Sequence, residues 1–194
     1  IETSERYFIP KNCPVCGEFT IKKQGEAARK CINIDCEAQK VESLIHFCSK
    51  NGMNIDGLGD KQIKLFFKKN VVTKYSDIFE LYKIKSELMN YEGFGELSVN
   101  KLLTNINKSK LVNFDKFLTS LGIRQVGENT SKILAEHYTD LSNLVNNIKN
   151  ASDEFSDEFN YLVNIDQIGI SVAEDIINFF NSKENLNELN KLSK

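Results

Sequence analysis

The spacing of apolar residues changes near residue 41, and this change divides the chain into two predicted parts. Before it, residues 19–23 and 27–31 have the short alternating pattern of two strands around Gly25, which predicts a β hairpin. After it, apolar residues recur every three or four positions, and this predicts amphipathic helices as far as a final helix over 183–194. The low counts of proline (2) and glycine (10) agree with a mainly α fold.

Within the helical part, one short unit occurs four times. It consists of an apolar residue, two further positions, a second apolar residue and a glycine, followed by an amphipathic helix. The copies are Ile55–Gly59, Tyr91–Gly95, Ile123–Gly127 and Ile165–Gly169. Their closing glycines are 36, 32 and 42 residues apart, a spacing that indicates a repeat array.

Each unit predicts a helix-hairpin-helix motif, in which a very short loop joins two steeply crossing helices. Glycine permits the positive φ and the close backbone approach of such a loop, and the apolar residue before the closing glycine fills the gap between the helices. A β-branched residue at Gly59 or Gly95 is therefore expected to strain the turn. The free N–H groups of the second helix's first turn face outward, where they suit a DNA phosphate without reading a base.

The predicted DNA-binding residues combine the loop glycines with the cations near them. In the third and fourth copies, Gln125 and Gln167 replace the first glycine, and Glu174 and Asp175 follow the fourth loop, so we expect the fourth hairpin chiefly to pack. The predicted DNA-binding set is Gly57, Gly59, Lys61, Lys64, Gly93, Gly95, Lys101, Arg124, Gly127 and Lys132.

Four of the five cysteines have the spacing of a structural zinc site. Cys13 and Cys16 form C-x2-C, and after fourteen intervening residues Cys31 and Cys36 form C-x4-C, which predicts one Zn²⁺ held by four thiolates. Gly17 allows the backbone to turn beneath the metal. The alternative, two disulfides in a secreted domain, fits poorly because the sequence shows no export signal. Cys48 lies in an apolar helical stretch outside this pattern and is predicted to be buried.

Charge alone does not identify a partner. The formal net charge of −2 divides into +1 over residues 1–50, +3 over 51–138 and −6 over 139–194. A modestly basic middle segment permits nucleic-acid binding without indicating it. No apolar run approaches the ~20 residues of a membrane helix, so we expect no membrane partner.

A four-cysteine finger followed by four helix-hairpin-helix units resembles the C-terminal half of bacterial NAD-dependent DNA ligase. The resemblance covers nearly the whole chain. The most specific segments are Cys13-Pro-Val-Cys16-Gly17, Cys31 to Cys36, Met53–Gly59, Glu92–Gly95 and Leu121–Glu128. It implies three parts: residues 1–10 as the tail of an oligonucleotide-binding barrel, 11–40 as the zinc finger, and 41–194 as the helix-hairpin-helix domain.

The family seals nicks in duplex DNA during replication and repair by joining a 3′-hydroxyl to a 5′-phosphate through an adenylated lysine. The resemblance therefore implies nicked duplex DNA as partner, a bacterial cytoplasmic location, and NAD and Mg²⁺ sites in other ligase domains of the same polypeptide. The family's lysine lies in a K-x-D-G motif, whose nearest match here, Asn54-Ile-Asp-Gly57, has asparagine in its place. An amide cannot form the adenylated intermediate, so we assign no catalytic residue and expect this chain alone to be inactive.

Two other functions remain open from the residues themselves. The chain could be a stand-alone repair or recombination subunit that recognises DNA junctions, although no nuclease carboxylate cluster is evident. It could also be a zinc-stapled interaction scaffold with degenerate hairpins, which would show no salt-sensitive DNA affinity. The first residue, Ile1 rather than methionine, leads us to expect that the sequence is part of a longer protein.

Overall fold

The fold is mainly helical, as the sequence predicts, in a computed structural model that describes residues 10–22, 28–33 and 35–193. The strands are β1 (Thr20–Ile21) and β2 (Lys30–Cys31), and the helices are α1 (Glu37–Cys48), α2 (Asp60–Lys68), α3 (Tyr75–Glu80), a 3-10 helix (Leu81–Ile84), α4 (Lys85–Leu88), α5 (Glu96–Ser109), α6 (Phe114–Ser120), α7 (Glu128–His137), α8 (Leu141–Asn150), α9 (Asp157–Val163), α10 (Ile170–Asn181) and α11 (Lys183–Leu192). The chain divides into two compact units, Ile1–Glu42 and Ser43–Lys194. No helix of the described residues is long and apolar enough to cross a membrane.

The first unit contains the predicted β hairpin. Strands β1 and β2 pair antiparallel, with Thr20 opposite Cys31 and Ile21 opposite Lys30. Gly25, predicted to lie at the turn, and most of the predicted barrel tail over 1–10 lie outside the described residues. Within the described residues the strands are shorter than the predicted ones, and an isolated antiparallel bridge pairs Phe19, just before β1, with Asn12.

Helix α1 begins at Glu37, four residues before the predicted start of the helical part. The side chain of Asn33 accepts a hydrogen bond from the backbone N–H of Asp35 at 2.9 Å, which forms a tight turn just before the helix. The carbonyl of Cys36 then accepts from the N–H of Lys40 at 3.1 Å. This early start places Cys36 directly at the head of the helix.

The second unit contains all four predicted hairpins. Hairpin 1 joins α1 to α2, hairpin 2 joins α4 to α5, hairpin 3 joins α6 to α7, and hairpin 4 joins α9 to α10. In every loop, the N–H of the residue before the closing glycine donates to the carbonyl three residues earlier, at 3.0–3.2 Å. These apolar residues, Leu58, Phe94, Val126 and Ile168, are all buried. The four loops therefore share one backbone turn, and each has a buried apolar residue before its closing glycine.

Hairpins 1 and 2 pack against each other. The ring of Phe66 on α2 stacks on that of Phe94 in the loop of hairpin 2, with centroids 5.3 Å apart. The loop of hairpin 1 in turn lies close to α5, because a methyl group added at Gly57 would lie only 3.3 Å from Cδ1 of Leu102. Each loop of this pair thus contacts the second helix of the other hairpin.

Hairpins 3 and 4 form a second pair around a shared apolar core. This core includes residues of both loops, of both second helices, of α8, which connects the two hairpins, and of α11, which follows hairpin 4. Its buried members are Leu118, Leu121, Ile123, Val126, Leu134, Tyr138, Leu144, Ile148, Leu162, Ile165, Ile168, Ala173, Ile176, Phe180 and Leu189. The array is consequently two pairs of hairpins rather than four equivalent units in a row.

Candidate zinc centre and nucleic-acid interface

The first two cysteines lie in a tight turn stabilised by backbone hydrogen bonds. The N–H of Cys13 donates to the carbonyl of Glu18 at 2.7 Å, and the N–H of Gly17 donates to the carbonyl of Cys13 at 2.9 Å. Gly17 has φ +77°, the left-handed conformation that a side chain disfavours. The sequence prediction for this glycine is confirmed.

The four predicted ligands lie together, with all sulfur atoms within 4.8 Å of one another. The Sγ atoms of Cys13 and Cys36 are 3.8 Å apart, and those of Cys16 and Cys31 are 3.4 Å apart. A tetrahedral zinc with Zn–S bonds of ~2.3 Å separates its sulfur ligands by about 3.8 Å. The distances and the thiol donor set therefore fit a closed structural zinc site.

The local environment affects the acidity of the thiols in different ways. Backbone N–H groups of Cys16 and Val15 lower the pKa of the Cys13 thiol to about 7. Desolvation raises the pKa of the Cys31 thiol to about 11. Four thiolates in one cluster repel one another, so a cation is required for all of them to ionise near neutral pH.

The position two residues before each closing glycine has the same left-handed conformation in all four loops. The φ values are +100° at Gly57, +81° at Gly93, +60° at Gln125 and +63° at Gln167. Sequence reasoning missed that the two glutamines keep the glycine conformation. The detectable signal was the alignment of the four copies, two of which have glycine at this position.

The closing glycines have a different role, and the expectation of strain at Gly59 and Gly95 is wrong. Gly59, Gly95, Gly127 and Gly169 all cap their helices with extended backbone, at φ between −81° and −100°. Any residue adopts this conformation. A methyl group added at Gly95, Gly127 or Gly169 would meet no described atom within 4 Å. The fold itself therefore does not require glycine at these three positions.

The helices that follow these glycines begin with few side-chain caps. No side chain of the described residues caps the first turns of α2, α7 and α10, whereas at α5 the hydroxyl of Ser98 accepts from the N–H of Gly95 at 2.9 Å. Such turns leave N–H groups available to an anion.

The predicted cations differ in their surroundings. Lys61 and Lys64 are exposed on α2 and form no ion pair with the described residues. The other three lie beside carboxylates: Lys101 beside Asp56 at 3.0 Å, Arg124 beside Asp175 at 3.8 Å, and Lys132 beside Glu128 at 3.3 Å. Their assignment to DNA stays a prediction, as does that of the loop glycines.

The structure weakens the argument for treating hairpin 4 as a packing unit. Asp175 accepts a hydrogen bond of 2.6 Å from Nε2 of Gln125, so its charge lies toward hairpin 3. Helices α2, α5 and α7 begin with Asp60, Glu96 and Glu128, whereas the first turn of α10 has no acidic residue. Asn54, the first residue of the nearest K-x-D-G match, lies in the loop of hairpin 1 before Gly57.

Comparison with known proteins gives matches in both units. Residues 12–38 match the NAD-dependent DNA ligase C4 zinc finger domain, and residues 116–189 match the helix-hairpin-helix motif. The chain is 37% identical over 200 residues to a DNA ligase of Pelobacter propionicus, covering 96% of this chain and 28% of that protein. Identity is 40% to a DNA ligase of Bacillus pumilus and 39% to one of Bacillus subtilis, covering 96% and 97% of this chain and 26% of each relative.

The chain thus spans about a quarter of the length of the curated relatives that it matches. The first match lies on the four-cysteine cluster, and the second includes the loops of hairpins 3 and 4. The chain belongs to the NAD-dependent DNA ligase family, in the region that carries its four-cysteine zinc finger and its helix-hairpin-helix domain.

Proposed function

We propose that this chain is the DNA-binding region of an NAD-dependent ligase that seals nicks in duplex DNA. It holds the nicked duplex by the phosphate backbone, without reading bases, while other domains of the polypeptide carry the chemistry. Those domains bind NAD and Mg²⁺ and supply the adenylated lysine. The enzyme acts in the bacterial cytoplasm, in replication and repair.

The observation that carries this proposal is the open space beside the closing glycines. Gly127 caps α7 at φ −93° and ψ −170°, a conformation open to any residue, and no described atom would contact an added methyl group. A side chain there would project beside the uncapped N–H groups of the helix. Glycine at this position has no role in the fold, but it leaves room for a phosphate to reach those groups.

The zinc site has a structural role in this proposal. Four cysteine ligands fill the coordination sphere of a tetrahedral zinc and leave no position for a reacting group. The finger has little core of its own, since Val15, Phe19, Ile21 and Ile32 are all exposed. Zinc binding therefore supplies much of the free energy that folds this unit.

Replacement of Gly127 by serine tests the proposal. Serine is a better N-cap than glycine, so the melting temperature should stay the same or rise. Its hydroxyl would occupy the N–H groups offered to phosphate, so the affinity for a nicked duplex should fall about tenfold. Fluorescence anisotropy with a labelled nicked oligonucleotide measures this affinity.

Gly52→Ala is the matched control for a glycine that the fold requires. A methyl group at Gly52 would lie 2.6 Å from the carbonyl oxygen of Phe47 and 2.7 Å from that of His46. This variant should unfold at a lower temperature. Unchanged DNA affinity in Gly127→Ser, with the melting temperature preserved, would contradict phosphate binding at this loop.

A further inference from the structure

The two pairs of hairpins contain the same contact at equivalent positions. Asp56 and Arg124 each lie one residue before the left-handed position of their loop, in hairpins 1 and 3. Lys101 and Asp175 each lie six residues after the closing glycine, on the second helices of hairpins 2 and 4. In each pair, the loop residue of one hairpin contacts the helix residue of the other.

In the first pair, the loop provides the acid and the helix provides the base. Nζ of Lys101 lies 3.0 Å from Oδ2 of Asp56. One turn further along α5, Nδ2 of Asn105 donates to the backbone carbonyl of Asp56 at 2.9 Å. The loop of hairpin 1 is thus held against α5 by an ion pair between side chains and by a side-chain hydrogen bond to its backbone.

In the second pair, the charges are exchanged. Nε of Arg124 in the loop lies 3.8 Å from Oδ2 of Asp175 on α10. Nε2 of Gln125 donates to the same carboxylate oxygen at 2.6 Å and to the carbonyl oxygen of Ser171 at 3.1 Å. The contact occupies the same place as in the first pair, but with the base in the loop and the acid on the helix.

We propose that this exchange of charge determines which hairpins pair. If hairpin 1 paired with hairpin 4, Asp56 would face Asp175. If hairpin 3 paired with hairpin 2, Arg124 would face Lys101. Both wrong pairings place like charges together, and both correct pairings place opposite charges together. Because the four loops share one backbone geometry, shape alone discriminates weakly between them.

The exchange contributes more to selectivity than to stability. The side chains of Lys101 and Asp56 are 71% and 72% exposed, and ion pairs this exposed add little to the free energy of unfolding. Selectivity depends on the difference in interaction energy between the correct and the wrong pairing. This difference includes both the attraction that is lost and the repulsion that is added. Wrong pairing between two copies of the chain would produce a swapped dimer.

Charge reversal in the full chain tests this inference. Asp56→Lys and Lys101→Asp each place like charges in the first pair and a complementary charge toward the wrong pair. After refolding from urea, each single variant should show about a fivefold larger dimeric or aggregated fraction by size-exclusion chromatography. The double variant Asp56→Lys with Lys101→Asp restores opposite charges in the first pair but also makes both wrong pairings attractive, so its fraction should lie between the wild-type and single-variant values. Adding Arg124→Asp and Asp175→Lys restores the exchange of charge, and this fourfold variant should return the fraction to the wild-type value.

Lys108→Asp, at an exposed site near the end of α5, controls for the change of net charge and should refold as the wild type does. If a single variant fails to refold at all, recovery in the fourfold variant still supports the inference. The inference is overturned if the double variant refolds as the wild type does, if the fourfold variant misfolds as much as the single variants, or if neither single variant differs from the wild type. The refolding measurement contains no DNA, so its result does not depend on the proposed DNA binding.

Discussion

The carboxylate of Glu188 accepts two hydrogen bonds from Ser76, one from the backbone N–H and one from the hydroxyl, each 3.1 Å long. The two residues are 112 positions apart. Ser76 lies in the first turn of α3, between hairpins 1 and 2, and Glu188 lies on α11, after hairpin 4. Nζ of Lys191 completes the site at 3.1 Å from Glu188. The last helix therefore caps a helix of the first pair.

Loss of this carboxylate should destabilise the whole helical unit. Glu188 is 8% exposed, so Glu188→Ala leaves the buried N–H and hydroxyl of Ser76 without their partner. The free energy of unfolding in urea should fall by about 1.5–3 kcal/mol. Glu184→Ala, an exposed change one turn earlier on α11, should alter it by less than about 0.5 kcal/mol. Equal effects of the two variants would contradict a structural role for this carboxylate.

Removal of zinc should expose four of the five cysteines to alkylation. Native protein should contain one zinc per chain, and its thiols should react slowly with iodoacetamide. A chelator should release the metal, unfold the finger and leave most of the helical circular dichroism, since the hairpins have their own core. Mass spectrometry should then find four labels.

Cys48 should remain unlabelled until the hairpin unit itself unfolds. It is 2% exposed, and burial raises the pKa of its thiol to about 12, so little thiolate is present. Folded, metal-free protein with an intact finger would contradict the proposed zinc site.

The two left-handed glutamines should respond differently to glycine. Gln167 is exposed, and among the described residues its Nε2 contacts only the neighbouring Asp166, at 3.4 Å, so Gln167→Gly relieves the strained φ at little cost. The free energy of unfolding should rise by about 0.5–1 kcal/mol. Gln125→Gly gains the same relief but loses the contacts to Ser171 and Asp175, so this variant should be less stable than Gln167→Gly. Equal shifts in the two unfolding curves would show that these contacts do not stabilise the pair.

The sequence predicted the parts of this molecule that depend on local pattern. The cysteine spacing identified four thiols that lie together, and the five-residue repeat identified four loops with one geometry. Both signals are short range, because a tight turn or a chelating pair restricts residues only a few positions apart.

Contacts between distant residues could not be predicted in this way. Nothing in the local sequence indicates that Glu188 reaches Ser76, or that Lys101 and Arg124 face carboxylates rather than solvent. The expected strain at Gly59 and Gly95 was wrong for a related reason. One pattern, glycine-apolar-glycine, contains a left-handed position and an extended one, and only the backbone distinguishes them.

Ser131 occupies a core position in α7 at which an apolar residue should be better. It lies four residues after Gly127, where the other copies have Ile63, Val99 and Ala173. Its hydroxyl is fully buried, and no hydrogen-bond partner lies among the described residues. Ser131→Ala removes this unsatisfied group and should raise the free energy of unfolding by about 1 kcal/mol. A decrease in stability would show that the hydroxyl has a partner in solution.

Lys61 and Lys68 lie at opposite ends of α2, about 10 Å apart, and this separation makes them a matched pair for locating the DNA. Lys61 follows the loop of hairpin 1, where we propose a phosphate binds. A plot of log affinity for nicked duplex against log salt concentration should have a slope smaller by about 0.9 in Lys61→Ala, because one fewer counterion is released. Lys68→Ala should leave the slope unchanged. The opposite result would place the DNA at the far end of the helix, and binding independent of salt in the wild type would favour the interaction scaffold.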